Sequence, residues 1–294
     1  MSDLQKIRIG SLFSGIGGFE LGFKKALGKK VRICWACEID KYCREIYQKH
    51  FPDVKLYGDI REINPEELED VDIITGGFPC QSFSVAGKRK GFKDRRGSLY
   101  FEILRIAKIK KPNYILLENV YGLFTQNKGH AFETILKTLA ELGYCIEWQM
   151  LDSQYFGVPQ HRERVFIIGY IGEGPGSKIF PALELKNNDK SRHADNEKNI
   201  YSWQGKSGLI NVFFNITPTL MKQKSNAIYI YEEKKLSKYR MNIRKLTPVE
   251  CERLQGFPDD WTEGVSETQR FMMLGNAVTV NVIEFIAKKL FKVK

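Results

Sequence analysis

With 294 residues, 43% of them hydrophobic and 28% charged, the chain has the composition of an ordinary soluble globular protein and is long enough to bury one large core or two smaller ones. A net charge of +11 and a sequence pI near 9.2 point toward a polyanionic partner. No long apolar stretch follows the N-terminus and no window approaches membrane-spanning length, so the expected location is the cytoplasm, without a membrane partner; six cysteines in so long a chain suggest reduced thiols, not a disulfide framework.

In chain order, residues 6–13 (KIRIGSLF) read as a strand, 19–27 as a helix, 31–37 as a strand and 42–50 as a helix. A third short strand ends near Asp59, and 71–75 is again strand-like, followed by a long loop. Helix 99–109, strand 114–118, helix 131–142 and strands 145–151 and 164–170 complete the first part. This alternation predicts an α/β fold, a doubly wound and mostly parallel sheet with helices on both faces.

Past residue 170 the texture changes. A glycine- and proline-punctuated linker (GEGPGSKIFP) and a polar stretch (KNNDKSRHADNEKN) lead into short β-like pieces at 212–216 and 227–231, read as a second, smaller unit of strand and loop. Residues 174–243 carry twelve Lys/Arg against six Asp/Glu, so the basic excess is regional, as in a binding face. In TPVECERLQGF, Thr247 as N-cap, Pro248 in the first turn and Glu250 form a capping box that predicts a helix. An amphipathic helix over 280–291 should pack back on the first unit, giving domains 1–173 plus 262–294 and 174–261.

The residue types that carry chemistry gather at predicted strand ends. In LFSGIGGFELG, Gly15 and Gly17 suit a strand-to-helix turn that approaches a nucleotide, although Glu20 stands where a dinucleotide fingerprint has its third glycine. Glu38 ends the next strand, placed for ribose hydroxyls, and Asp59 ends the third, placed for an adenine amino group; an isolated acid is more often a helix cap, but three such features at successive strand ends reinforce one another. In GGFPCQSFS, Cys80 follows a strand and precedes a loop rich in Lys, Arg and Gly, which lowers a thiol pKa and suits a lid over an anion. Glu118 ends the apolar strand of LLENV, where desolvation raises its pKa toward that of a proton donor. Arg162 and Arg164 in QHRER lie two apart and should share a face. A zinc site at Cys34, Cys37, Cys43 and His50 is set aside, because odd spacing in a strand sends Cys34 and Cys37 to opposite faces and no second CxxC exists, so no metal is expected.

With FSGIGGFE, GGFPCQSFS, ENV, QHRER, RKLTPVECERLQGFPDDW and GNAV in this order, the sequence resembles DNA cytosine-5 methyltransferases of the bacterial restriction-modification type over nearly its whole length. The break at about 174–240 falls where that family carries its target-recognition region. The resemblance implies a Rossmann-like, S-adenosylmethionine-dependent catalytic domain with a mainly β and loop recognition domain. It implies methyl transfer to C5 of a cytosine flipped out of double-stranded DNA, with S-adenosylhomocysteine as product. Cys80 would add to C6, Glu118 would act at N3, and Arg164, with Arg162, would hold the O2 edge. Phe13, Gly15, Gly17, Glu38, Asp59, Ile60, Pro79 and Leu99 would contact the cofactor, with Asn276 and Val278 closing the site; Ile39 stands where many relatives have a tryptophan against the adenine. Gln81, Ser84, Lys88, Arg89 and Arg96 would grip phosphates. Trp203, Gln204, Lys206, Lys222, Gln223 and Lys224 are the candidates for reading bases.

The expected protein acts as a monomer, with a cognate restriction endonuclease as a candidate partner. The nearest alternative is a tRNA cytosine-5 methyltransferase of the same family, whose Cys-Phe-Thr signature has no counterpart here, since residues 170–243 contain no cysteine. A nucleotide-dependent oxidoreductase would leave Cys80, Glu118 and the basic loop without a shared purpose, and a catalytically dead DNA-binding relative would not need all three.

Overall fold

The computed structural model describes residues 6–79, 99–172, 179–180, 199–204, 209–214, 228–232 and 242–293. Its larger sheet has seven strands, β1 (Ile7–Leu12), β2 (Val31–Cys37), β3 (Lys55–Tyr57), β4 (Ile73–Gly77), β5 (Tyr114–Val120), β6 (Cys145–Asp152) and β7 (Glu163–Tyr170). Their spatial order is β3-β2-β1-β4-β5-β7-β6. The first five strands pair in parallel. β7 alone runs antiparallel, between β5 and β6, because the connection from β6 is too short for a helical crossover and can only form a hairpin-like return. The strand order turns outward in both directions from β1 and β4, which opens a crevice at the carboxyl ends of the strands.

Period-two alternation assigns each strand's side chains to two cores. Ile9, Ile73 and Leu116 face α1 (Gly18–Leu27), α2 (Lys41–His50) and a C-terminal helix, α8 (Val280–Leu290). Leu12, Ile74, Ile115 and Leu117 face α3 (Leu99–Lys110) and α5 (His130–Glu141), with the short α4 (Gly122–Thr125) beside them. α8 buries Val280, Ile283, Ala287 and Leu290 along one stripe, the i, i+3, i+4, i+7 spacing by which helices gain stability through packing.

One step of the alternation fails. The β1–β2 register moves from Ile9↔Ile33 to Gly10↔Trp35, so Cys34 is the extra residue of a bulge. As a result Cys34 packs against the same core that contains Cys37, correcting the expectation that their odd spacing sends them to opposite faces. Cys37 is buried and its thiol donates to the Gly58 carbonyl at 3.1 Å.

The smaller sheet is antiparallel, with β8 (Asn199–Gln204), β9 (Leu209–Phe214), β10 (Ile228–Glu232) and β11 (Asn242–Lys245) in the order β11-β10-β8-β9. Two of its strands, β8 and β11, have no counterpart in the sequence reading. The predicted capping box is present at α6 (Pro248–Leu254): Thr247 Oγ1 accepts from Glu250 N, and Glu250 accepts from Thr247 N at 2.7 Å. Leu246, Cys251, Leu254, Phe257 and Trp261, within the smaller unit of the sequence reading, pack in the core of α1 and α8.

A further helix, α7 (Glu267–Asn276), escaped the sequence reading, although Ser266 caps it by accepting from Gln269 N. Within the stretch Glu267–Leu290 an 18-residue window reaches a mean hydropathy of 1.3, apolar enough for a membrane span by length and composition alone. The stretch is two helices broken at residues 277–279, and α8 lies in the core.

Candidate active site

The crevice at the strand ends holds a cavity of about 1070 Å³. Its floor on one side is the loop after β1. Phe13 adopts φ 54 and Gly15 φ 54, and for a phenylalanine that left-handed conformation costs about 1–3 kcal/mol, a strain typical of functional loops. The loop is tied to the neighbouring strand: Ser14 N donates to Cys37 O at 3.0 Å and Gly15 N to Glu38 Oε2 at 2.8 Å. Glu38 Oε1 accepts from Asp40 N at 2.8 Å. Burial pushes the Glu38 pKa up, while these two N–H donors pull it down. Each of its oxygens still has a second lone pair for a ligand hydroxyl.

Of the residues expected to hold a cofactor, Phe13, Gly15, Glu38, Asp59, Ile60, Pro79, Leu99, Asn276 and Val278 all line this cavity. Gly17 does not. It caps α1 at φ 87, with its α-carbon turned toward Phe51, where a Cβ would meet the ring at 2.3 Å. Asp59 has partly the role of a cap, accepting from Arg61 N at 3.0 Å and pairing with the Arg61 guanidinium, which lowers its pKa. Ile39 is 66% exposed at the cavity rim.

The opposite wall is chemical. Glu118, at the end of β5, lies 3.2 Å from Arg164 Nε at the start of β7, both side chains largely buried. The antiparallel register, with Val120 opposite Arg164, brings the two together. Burial raises the Glu118 pKa above the usual carboxylate range, opposed by Arg164 and Arg162. Gly77 leaves room for this carboxyl, since a Cβ there would come within 3.3 Å of Glu118 Oε2.

Arg162 and Arg164 both line the cavity, as their shared face predicts, but their bonding differs. Arg162 is 2% exposed and donates to the Gly275 carbonyl at 3.3 Å and the Ala277 carbonyl at 2.8 Å. Its guanidinium grips the backbone on either side of Asn276 from within the cavity wall. Asn119 is a residue the sequence reading passed over: its amide donates to Phe78 O at 2.9 Å and fixes the strand end that leads to Pro79. Its signal was its place beside Glu118 in a buried strand end. Gln269, Met272 and Met273 of α7 also line the cavity, hidden from the sequence reading with their helix.

Cys80, Gln81, Ser84, Lys88, Arg89 and Arg96 lie outside the described residues, as do Lys206, Lys222, Gln223 and Lys224. Trp203 and Gln204 end β8, on the smaller sheet.

The profile of a family described as C-5 cytosine-specific DNA methylase matches residues 7–207 and 176–292. The type II methyltransferase M1.ScrFI of Lactococcus lactis subsp. cremoris is 38% identical over 319 residues, covering 98% of this chain and 79% of that protein. M.NlaX of Neisseria lactamica is 36% identical over 310 residues, covering 96% of each. Among solved structures, the S. pombe Dnmt2 methyltransferase aligns with a TM-score of 0.74 at 22% identity, covering 98% of this chain and 99% of that one. A likeness at that identity speaks for the fold.

Proposed function

The chain belongs to the C-5 cytosine-specific DNA methylase family and is a DNA cytosine-5 methyltransferase with a Rossmann-like methyltransferase fold; from that premise we propose that it methylates C5 of a flipped cytosine at a specific duplex site through a Cys80 adduct. The observation that carries the reading is the buried Glu118–Arg164 pair, in one cavity with the Gly15–Glu38 loop. A carboxyl with a raised pKa, an arginine beside it and a nucleoside-sized recess serve the same reaction.

The residues fit S-adenosylmethionine. Glu38 offers acceptors for ribose hydroxyls, Asp59 on the same cavity wall would face the adenine, and the cavity is large enough for a nucleoside and a flipped base together. When bound, the cofactor supplies an electrophilic methyl group on a sulfonium. The protein's own groups do the rest. Cys80, covalently next to the cavity-lining Pro79, adds as thiolate to C6, while Glu118 donates a proton at N3 and neutralises the ring. With C5 so activated toward the methyl group that S-adenosylmethionine would supply, loss of the C5 proton to a base would break the C6–S bond and return the Cys80 thiolate, and the N3 proton would pass back to Glu118. Arg164 stabilises charge at O2 and keeps Glu118 oriented. Arg162 holds residues 275–277, and with them Asn276, against the cavity.

The relatives' names, type II methyltransferases, support a modification enzyme acting on double-stranded DNA; a monomeric working form and a cognate endonuclease as partner complete the proposal. The basic stretch 174–243 suits the DNA backbone. The resemblance to Dnmt2 structures, at 20–22% identity, concerns fold and lends no separate weight to a tRNA substrate. The test is bisulfite sequencing of DNA from cells expressing the protein and its Cys80→Ser variant. Methylcytosine at one defined site with the wild type alone is expected; methylation by Cys80→Ser would overturn the nucleophile. DNA with 5-fluorocytosine at that site should trap a covalent adduct.

A further inference from the structure

The segment that returns from the small sheet ends on the cofactor loops from behind. Trp261 is 9% exposed, and its indole Nε1–H donates to the carbonyl of Ile16 at 2.9 Å, in the middle of the loop after β1. The ring has one available orientation. His50 stacks on it, with centroids 3.6 Å apart and planes 7° from parallel, and His50 Nε2 lies 2.7 Å from the Trp261 carbonyl. That carbonyl can only accept, so Nε2 carries the proton. Phe257 and Phe51 close the remaining sides at centroid distances of 5.5 and 6.2 Å.

A second contact of the same kind comes from Gln255, the C-cap of α6. Its side chain is fully buried; Nε2 donates to Leu274 O at 2.9 Å and reaches Ala277 O at 3.5 Å, while Oε1 accepts from Thr279 Oγ1 at 2.8 Å. Ala277 O is also the carbonyl that Arg162 grips. Neither Trp261 nor Gln255 lines the cavity, yet each fixes a backbone carbonyl in one of the two loops that do.

We infer that Trp261 and Gln255 are positioning residues for cofactor binding: their N–H donors hold the 13–18 turn and residues 274–278, the end of α7 and the turn after it, in the shape that receives the cofactor. Glu38 ties the first loop from the sheet side through Gly15 N, and Trp261 ties it from the other side through Ile16 O. A loop held from one side only relaxes, because a buried carbonyl that loses its donor seeks another partner. Reordering the loop on binding is then charged against affinity. This inference rests on the S-adenosylmethionine reading above.

The experiment is calorimetric titration of the full chain with S-adenosylhomocysteine, followed by steady-state kinetics. Trp261→Phe keeps a ring under His50 and removes the donor together with the second ring of the indole. Binding should weaken about five- to tenfold, with the loss falling on KM for the cofactor more than on kcat. A merely structural role would lower the melting temperature and leave affinity alone, so a folded Trp261→Phe that binds within about twofold of wild type overturns the inference. Should that variant fail to fold, Gln255→Met, of similar length and without the donor, decides by the same criterion. Failure of the wild type itself to bind S-adenosylhomocysteine would instead refute the cofactor reading.

Discussion

Glu20 offers a quantitative test of the buried polar architecture. Its side chain is 0% exposed in the first turn of α1, and Oε1 accepts from Tyr47 Oη at 3.0 Å. Desolvation raises its pKa from 4.5 to about 7, against smaller opposing effects from Ser11 and Tyr47. The native state therefore binds a proton that an unfolded glutamate would release between these two values. The stability associated with that proton is fully present below the unfolded pKa and is lost as pH rises through about 7. At about 1.4 kcal/mol per pKa unit, the loss reaches roughly 3–4 kcal/mol by mildly alkaline pH, an order-of-magnitude figure. Glu20→Gln keeps the shape, accepts from Tyr47 and cannot ionise. Urea unfolding of both proteins across pH 4.5 to 8.5 should show the variant gaining on wild type by roughly 1 kcal/mol per pH unit until about pH 7 and then levelling. Parallel stability profiles would show that the carboxyl is not held protonated by burial, and the reasoning would fail.

Glu118→Gln should fold, because an amide still fits beside Arg164, and should lose about 10²–10⁴-fold in kcat on target DNA; near wild-type turnover would remove Glu118 as the acid. Because burial raises its pKa, the wild-type rate should fall as pH rises through that value, a limb missing from the variant's pH profile. Arg162→Lys replaces three guanidinium contacts to the Gly275 and Ala277 carbonyls with a point charge. KM for the cofactor should rise about tenfold, measured by tritiated methyl transfer; an unchanged KM would argue that Asn276 needs no such support. Thr247→Ala, which breaks the capping box of α6, should cost about 1 kcal/mol in urea unfolding, and an unchanged midpoint would contradict the cap.

The strand and helix periodicities of residues 6–170 locate the elements of the large sheet to within a few residues, since the central strands β1, β4, β5 and β7 are largely buried on both faces and the helices on one. Glu38, Asp59 and Glu118 were legible for the same reason: a polar side chain at the end of an apolar strand has few uses in a core. α7 was not legible, because it buries only Met273, Leu274 and Gly275 at its end and so shows no apolar stripe along its length, with Ser266 alone marking its start. β8 and β11 border polar stretches and are strands only through their pairing, β8 with β9 and β10, and β11 with β10. The Cys34 bulge is likewise a property of pairing, invisible in one strand alone.

The sequence by itself determined the element order, the chemistry-bearing residues and their place at strand ends, because these depend on local periodicity and residue type. Tertiary structure alone decided what each of those residues touches. Two arginines, two positions apart and on one cavity wall, part company there: Arg164 meets a buried carboxylate, and Arg162 meets the carbonyls of residues 275 and 277, more than a hundred positions along the chain. Such partners come from helices and turns that pack late in the chain against loops formed early, and no spacing along the sequence encodes the distance between them.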